Sequence, residues 1–215
     1  LGTMVCCLLC FSSNPEGVDD PYAGRANTFQ ISMAEAPCKE PLRCCVGALC
    51  APCCACYQRK EALDGQMDRY ECCQGYIPGC CCCKPGKMGE KSCPTLCLCL
   101  EGCCCPATSL SVTRMYLQDL LDISSDPMDI RIIKFTNCMI YLSCICNILA
   151  IFIAELRELA QIIDCITDCI VASVSGCMSA QIYREIEHAK LNGALGVPSV
   201  KTQSAKQARA EKMQR

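Results

Sequence analysis

Apolar residues are unevenly distributed along the chain, and the longest runs lie in its second half. From Phe135 to Ala154 there are 20 consecutive uncharged residues, between Lys134 and Glu155. At 1.5 Å per residue, about 20 apolar residues cross a bilayer core, so 135–154 is a candidate span, diluted by Thr136, Asn137, Ser143 and Asn147. After the polar knot Glu155-Leu-Arg-Glu158, the residues Leu159, Ile162, Ile163, Ile166, Ile170, Val171 and Val174 recur at helical spacing. Asp164 and Asp168 share another face. This second stretch predicts an amphipathic helix suited to packing on protein. One helix over 128–190 would be roughly 90 Å long, so a bend or hairpin is expected near 155–158. Upstream, Leu110, Met115, Leu117 and Leu121 predict an amphipathic helix over 107–122. Its polar face holds Ser109, Ser111, Thr113, Arg114, Gln118 and Asp119. Ser124-Ser125-Asp126-Pro127 reads as the start of the next helix.

The first half shows no such period. Residues 1–37 read as a tail and linker, rich in Ser, Asn, Pro, Gly and Asp from residue 11 onward. Residues 38–106 alternate cysteines with turn formers, leaving few residues to build a core and short helical turns at 55–69. Residues 107–190 form the helical region, with the candidate membrane hairpin, and 191–215 a polar, basic tail. The expected fold is therefore a small cysteine-rich, metal-stabilised irregular module joined to an α-helical C-terminal half.

Composition sharpens this division. Cysteine accounts for 28 of 215 residues, well above the level that marks a cysteine-built scaffold. The net charge of −2 gives no electrostatic footprint for nucleic acid. The start of the chain has no basic n-region and only a short apolar run, so a reducing compartment is expected. There, dense cysteine reads as metal binding or redox chemistry before disulfides. If Met4 initiates the protein, Cys6, Cys7 and Cys10 stand at its terminus, as S-acylation sites or as reactive thiols of a frayed tail.

Nineteen cysteines fall within 38–106, too many to be free thiols without an oxidation hazard. The expected metal ligands are Cys44, Cys45, Cys50, Cys53, Cys54, Cys56, Cys72, Cys73, Cys80, Cys81, Cys82, Cys83, Cys93, Cys97, Cys99, Cys103, Cys104 and Cys105. Cys50, Cys53 and Cys56 form C-x2-C-x2-C, which suits a tetrahedral zinc site. The same spacing, with Cys93-Pro94 or Cys105-Pro106 as a fourth ligand, also fits an iron–sulfur cluster. The consecutive runs at 80–83 and 103–105 suggest several ions. Cys138, Cys144, Cys146 and Cys177 read as small buried hydrophobes. Cys165 and Cys169, at i and i+4, could pair on one metal, but packing is the better explanation. His188 is the single histidine and reads as a surface residue. With no second base, Cys–His catalysis is not expected, and no phosphate loop, dinucleotide fingerprint or H-E-x-x-H is present.

Two blocks resemble an uncharacterised cysteine-rich family of plants and protists. One holds Ala51-Pro-Cys53, Arg59-Lys60, Ala62-Leu63, Met67, Arg69-Tyr70, Cys72-Cys73, Gly75-Tyr76 and Pro78. The other runs from Leu96 to Glu101 and continues through Cys103-Cys104, Ser109, Thr113-Arg114 and Leu117-Gln118-Asp119. The resemblance covers about 44–193 and implies a family fold and membrane association, without residue roles. Members of that family carry a Gly-containing break between the two hydrophobic segments, which this chain lacks. Cys44-Cys45-x4-Cys50-Ala-Pro-Cys53 also distantly resembles the signature of the PLAC8 family, with one extra residue; that likeness implies membrane-linked metal handling.

The expected function is a non-enzymatic structural or scaffold protein with thiolate-bound zinc, docked to a membrane or a larger assembly. A metal-handling membrane protein and an iron–sulfur electron carrier are the alternatives. The expected location is intracellular and membrane-associated, with the cysteine-rich module in the cytoplasm.

Overall fold

A computed structural model of the chain describes residues 11, 21–76 and 89–195. About 75% of it is helix. Among the described residues there is no strand, only a single bridge between Asn27 and Ile123. Cys6, Cys7, Cys10, Cys80–Cys83 and the tail beyond Leu195 lie outside the described residues.

Proline sets the helix starts. In α1 (Ala36–Lys39), α2 (Pro41–Leu49), α3 (Ala51–Ala62), α4 (Pro94–Cys104), α5 (Pro106–Leu121) and α6 (Pro127–Phe152), a proline occupies the first turn. Its missing N–H costs nothing there, and its fixed φ suits the helix. Ahead of α6, the Asp126 carboxylate also accepts from the Met128 N–H at 2.8 Å. α7 (Arg157–Leu191) completes the set. Most described residues of 38–106 are thus helical rather than irregular. The Cys-Pro pairs explain part of the difference: Cys93 and Cys105 are the N-caps of α4 and α5.

α5 lies at the centre, packed against α3, α4 and α7. It is buried on every side from Thr108 to Leu120, so its expected polar face is not solvated. Instead those residues form internal bonds. Arg114 is fully buried and pairs with Asp129 at 3.0 Å, and its Nε donates to Gln181 Oε1 at 2.9 Å. Asp119 accepts from the Tyr76 hydroxyl. The segment before α1 closes this region: Arg25 pairs with Asp119 at 2.6 Å, and the Met33 N–H donates to Asp129 at 2.9 Å. One apolar core joins Ala55, Leu63, Tyr70, Tyr76 and Leu98 to Leu110, Met115, Leu117, Met178 and Ile182. The composition break at Pro106 is a 118° corner between α4 and α5, with shared core on both sides.

α2 runs against α7 through small residues. A Cβ on Gly47 would stand 2.6 Å from Ser179 Cβ, and one on Gly176 would strike the Cys44 carbonyl oxygen. Beyond this contact, α6 and α7 continue as a hairpin. The turn is Ile153–Leu156, with a short 3-10 turn over Ala154–Leu156, two residues ahead of the predicted break. Both helices are long and apolar enough to cross a membrane. Phe135, Tyr141, Ile145, Ile151, Phe152, Ile162 and Ile166 are exposed on the hairpin. Between its arms, Asp164 accepts from Ser143 and from Asn147 Nδ2, the latter at 2.7 Å. Cys165 and Cys169, expected to pack, are exposed, as is Cys138; Cys144, Cys146 and Cys177 are half-buried. The apolar face of the hairpin points outward, and Cys138, Cys165 and Cys169 go with it, whereas Cys177 packs against the core.

Candidate metal centre

The turn after α3 carries the one group of three metal-ligating side chains that converge among the described residues. Cys72 Sγ, Cys73 Sγ and a Glu101 carboxylate oxygen lie within 4.8 Å of one another. Adjacent side chains ordinarily point apart. Here Cys73 (φ 49°, ψ 22°) and Gln74 (φ 46°, ψ 26°) both adopt the left-handed conformation, which folds the two thiols onto one side. Such residues cost of order 1–3 kcal/mol each and persist only where their surroundings hold them.

The restraints are visible. The Cys72 N–H donates to Glu90 Oε1 at 2.6 Å, and the Cys73 N–H donates to Glu101 Oε2 at 2.8 Å. The Tyr70 hydroxyl donates to the same Glu101 oxygen at 2.9 Å. Tyr76, buried at the other end of the turn, is tied to Asp119 on α5. Glu101 stands on α4, held by Arg59 from α3 at 3.3 Å. Arg59 in turn donates to Thr113 Oγ1 and the Ser109 carbonyl, both at 2.8 Å. The site is therefore assembled by α3, α4, α5 and the turn together.

Its electrostatics suit a cation. The hydrogen bond from Cys73 lowers the Cys72 thiol, while the same bond, then burial and the Glu101 charge, raise Cys73. Of the two thiols, Cys72 is therefore the one that ionises more readily. Glu90 is buried, and its Oε2 has no hydrogen-bond partner, so a buried carboxylate oxygen is left uncompensated near the Cys72 and Cys97 thiols. Zinc bound to sulfur at about 2.3 Å in a tetrahedron separates its ligand atoms by roughly 3.5–4 Å, which small side-chain shifts reach here. Two thiolates and a carboxylate supply three donors and leave a fourth position open. Cys97 adjoins this centre; burial, then the charges of Glu90, Cys93 and Cys72, push its thiol up.

The other expected ligands are distributed differently. Cys50, Cys53 and Cys56 lie on the start of α3 rather than in a turn, so the triple is stretched over about 9 Å of helix rise and does not converge. Cys56 instead contacts Cys99 on α4, with Cys103 and Cys53 close enough for their charge to reach it. Cys44 on α2 meets Cys177 on α7. Cys54 donates to the Val46 carbonyl at 3.9 Å. Cys45, Cys50, Cys93 and Cys104 are exposed, and Cys105 is half-buried. Glu101 and Glu90 are not legible as site residues in the sequence. The only available signal is an acidic residue inside the otherwise apolar, cysteine-bearing stretch 96–104. His188 is exposed, as expected.

No family model matches the chain, and no curated protein and no solved structure is significantly similar to it.

Proposed function

We propose that this chain is a non-enzymatic, membrane-associated protein that binds and passes on a soft metal ion, zinc or a chemically similar divalent ion, at Cys72, Cys73 and Glu101. The observation that carries this is the strained turn at Cys73 and Gln74, which brings two adjacent thiols against a carboxylate. Thiolate donors select soft ions, and three donors with an open fourth position favour exchange with a partner ligand. A purely structural role for the ion is less well supported, because Tyr70, Tyr76 and Leu98 already give this region an apolar core. An iron–sulfur cluster at this centre would need four thiolates where the group offers two and a carboxylate, and the Cys-Pro pairs are better explained as helix starts.

The exposed apolar hairpin of α6 and α7 supplies the membrane attachment. Both ends of a hairpin lie on one side of a bilayer, which keeps the cysteine-rich region and Leu195 together, on the cytoplasmic side in this proposal. The test uses the full chain purified in detergent. Bound zinc that exchanges readily into a competing chelator, and is reduced by Cys72→Ser/Cys73→Ser, is the expected result. Unchanged metal content in that double variant overturns the site. Partition of the wild type into the aqueous phase without detergent overturns the membrane attachment.

A further inference from the structure

We infer that the interface between α3 and α4 forms a second, all-thiolate metal site from Cys53, Cys56, Cys99 and Cys103, selective for a thiophilic ion such as cadmium or cuprous copper. This deepens the metal-handling reading but uses none of the residues of the first site.

Close approach of two helices builds it. Gly102 stands where α4 crosses α3: a Cβ there would lie 2.5 Å from Cys56 Sγ and 3.1 Å from the Pro52 carbonyl oxygen. With no side chain at 102, the α4 backbone rests directly on Cys56, whose Sγ is 3.5 Å from the Leu98 carbonyl oxygen and 4.0 Å from that of Cys99. Helical spacing does the rest. Cys53 and Cys56 stand one turn apart on α3, and Cys99 and Cys103 stand one turn apart on α4. Each helix offers two thiols to the same seam.

The Cys56 thiol is in hydrogen-bond contact with that of Cys99, and charge on Cys103 and Cys53 reaches it. Burial first, then these three neighbours, push Cys56 up to about 11. Cys53, Cys99 and Cys103 are exposed, and a cysteine has a single side-chain torsion with three wells. Rotation of these three side chains is the movement by which the set would close around an ion. Four sulfur donors prefer softer ions than the sulfur and carboxylate donors around Cys72.

Cadmium NMR of the full chain, in detergent with reductant and loaded with cadmium alone, separates the two sites. An all-thiolate cadmium resonates far downfield of one bound by two thiolates and a carboxylate. Both signals are expected in the wild type. Cys99→Ser/Cys103→Ser should abolish only the all-thiolate signal, and Cys72→Ser/Cys73→Ser only the mixed one. Circular dichroism checks the fold of each variant, and Cys53→Ser, also at an exposed position, provides a second test of the same site. An all-thiolate signal that survives both Cys99→Ser/Cys103→Ser and Cys53→Ser overturns this inference, as does its absence from the wild type. Absence of the mixed signal alone overturns the first site and leaves this one standing.

Discussion

Arg59 and Glu101 form an ion pair at 3.3 Å between α3 and α4, with the Arg59 side chain fully buried and that of Glu101 nearly so. Each has further partners, so removing the carboxylate strands a guanidinium and frees the Cys73 N–H. Breaking a buried pair from one side costs about 3–5 kcal/mol. Glu101→Ala is expected to lower thermal stability by that order, measured in detergent without metal. It should also abolish metal binding at Cys72 and Cys73. Exposed Cys104→Ser should change neither.

The α2–α7 contact permits no added carbon. Gly47→Ala forces a methyl against Ser179, and Gly176→Ala forces one against the Cys44 carbonyl. Overpacking of this kind costs about 1–3 kcal/mol. Gly176→Ala should be the worse of the two, because a backbone carbonyl yields less readily than the Ser179 side chain. Chemical denaturation of both variants against the wild type checks the order.

Alkaline pH should destabilise the metal-free protein. Burial first, then neighbouring thiols, raise Cys44 from an ordinary value of 9.0 to about 12 and Cys56 to about 11. The folded state therefore holds these protons more tightly than the unfolded chain. The stabilising contribution is complete below about pH 9 and is lost as pH rises through 11 and 12. Unfolding temperature should fall across that window, and less steeply in a Cys44→Ser/Cys56→Ser variant. An unchanged slope in that variant would assign the alkaline loss to other groups.

Membrane attachment should fail when the hairpin is charged. Ile145 is 54% exposed near the middle of the uncharged stretch of α6. A charged residue at the centre of an inserted helix costs about 2.5–3.5 kcal/mol on the insertion scale. Ile145→Arg should shift the protein from the pellet to the supernatant after alkaline extraction of membranes. Leu191→Arg, on the exposed end of α7 beyond the hairpin, should not.

The helices after Pro106, and the hairpin between them, are legible in the sequence because their signals are local. Pro127 behind Asp126 starts α6, and an uncharged run followed by Glu155-Leu-Arg-Glu158 marks the turn to within two residues. Periodicity alone did not report what covers each face. The polar residues of α5 read as a solvated face, yet Arg114 meets Asp129 and Gln181 from two other helices, so tertiary partners replace water. The cysteines show the same limit. C-x2-C-x2-C has the spacing of a metal turn, but Pro52 at the start of α3 places it on a helix and spreads it along the axis. Cys72 and Cys73 converge because Glu90, Glu101, Tyr70 and Asp119 hold the turn in a left-handed conformation that cysteine does not adopt unaided. The sequence alone determined where helices begin and which stretch is apolar, because these follow from neighbours a few residues apart. Only the tertiary structure decided which thiols and carboxylates meet, because that depends on contacts between residues distant in the chain.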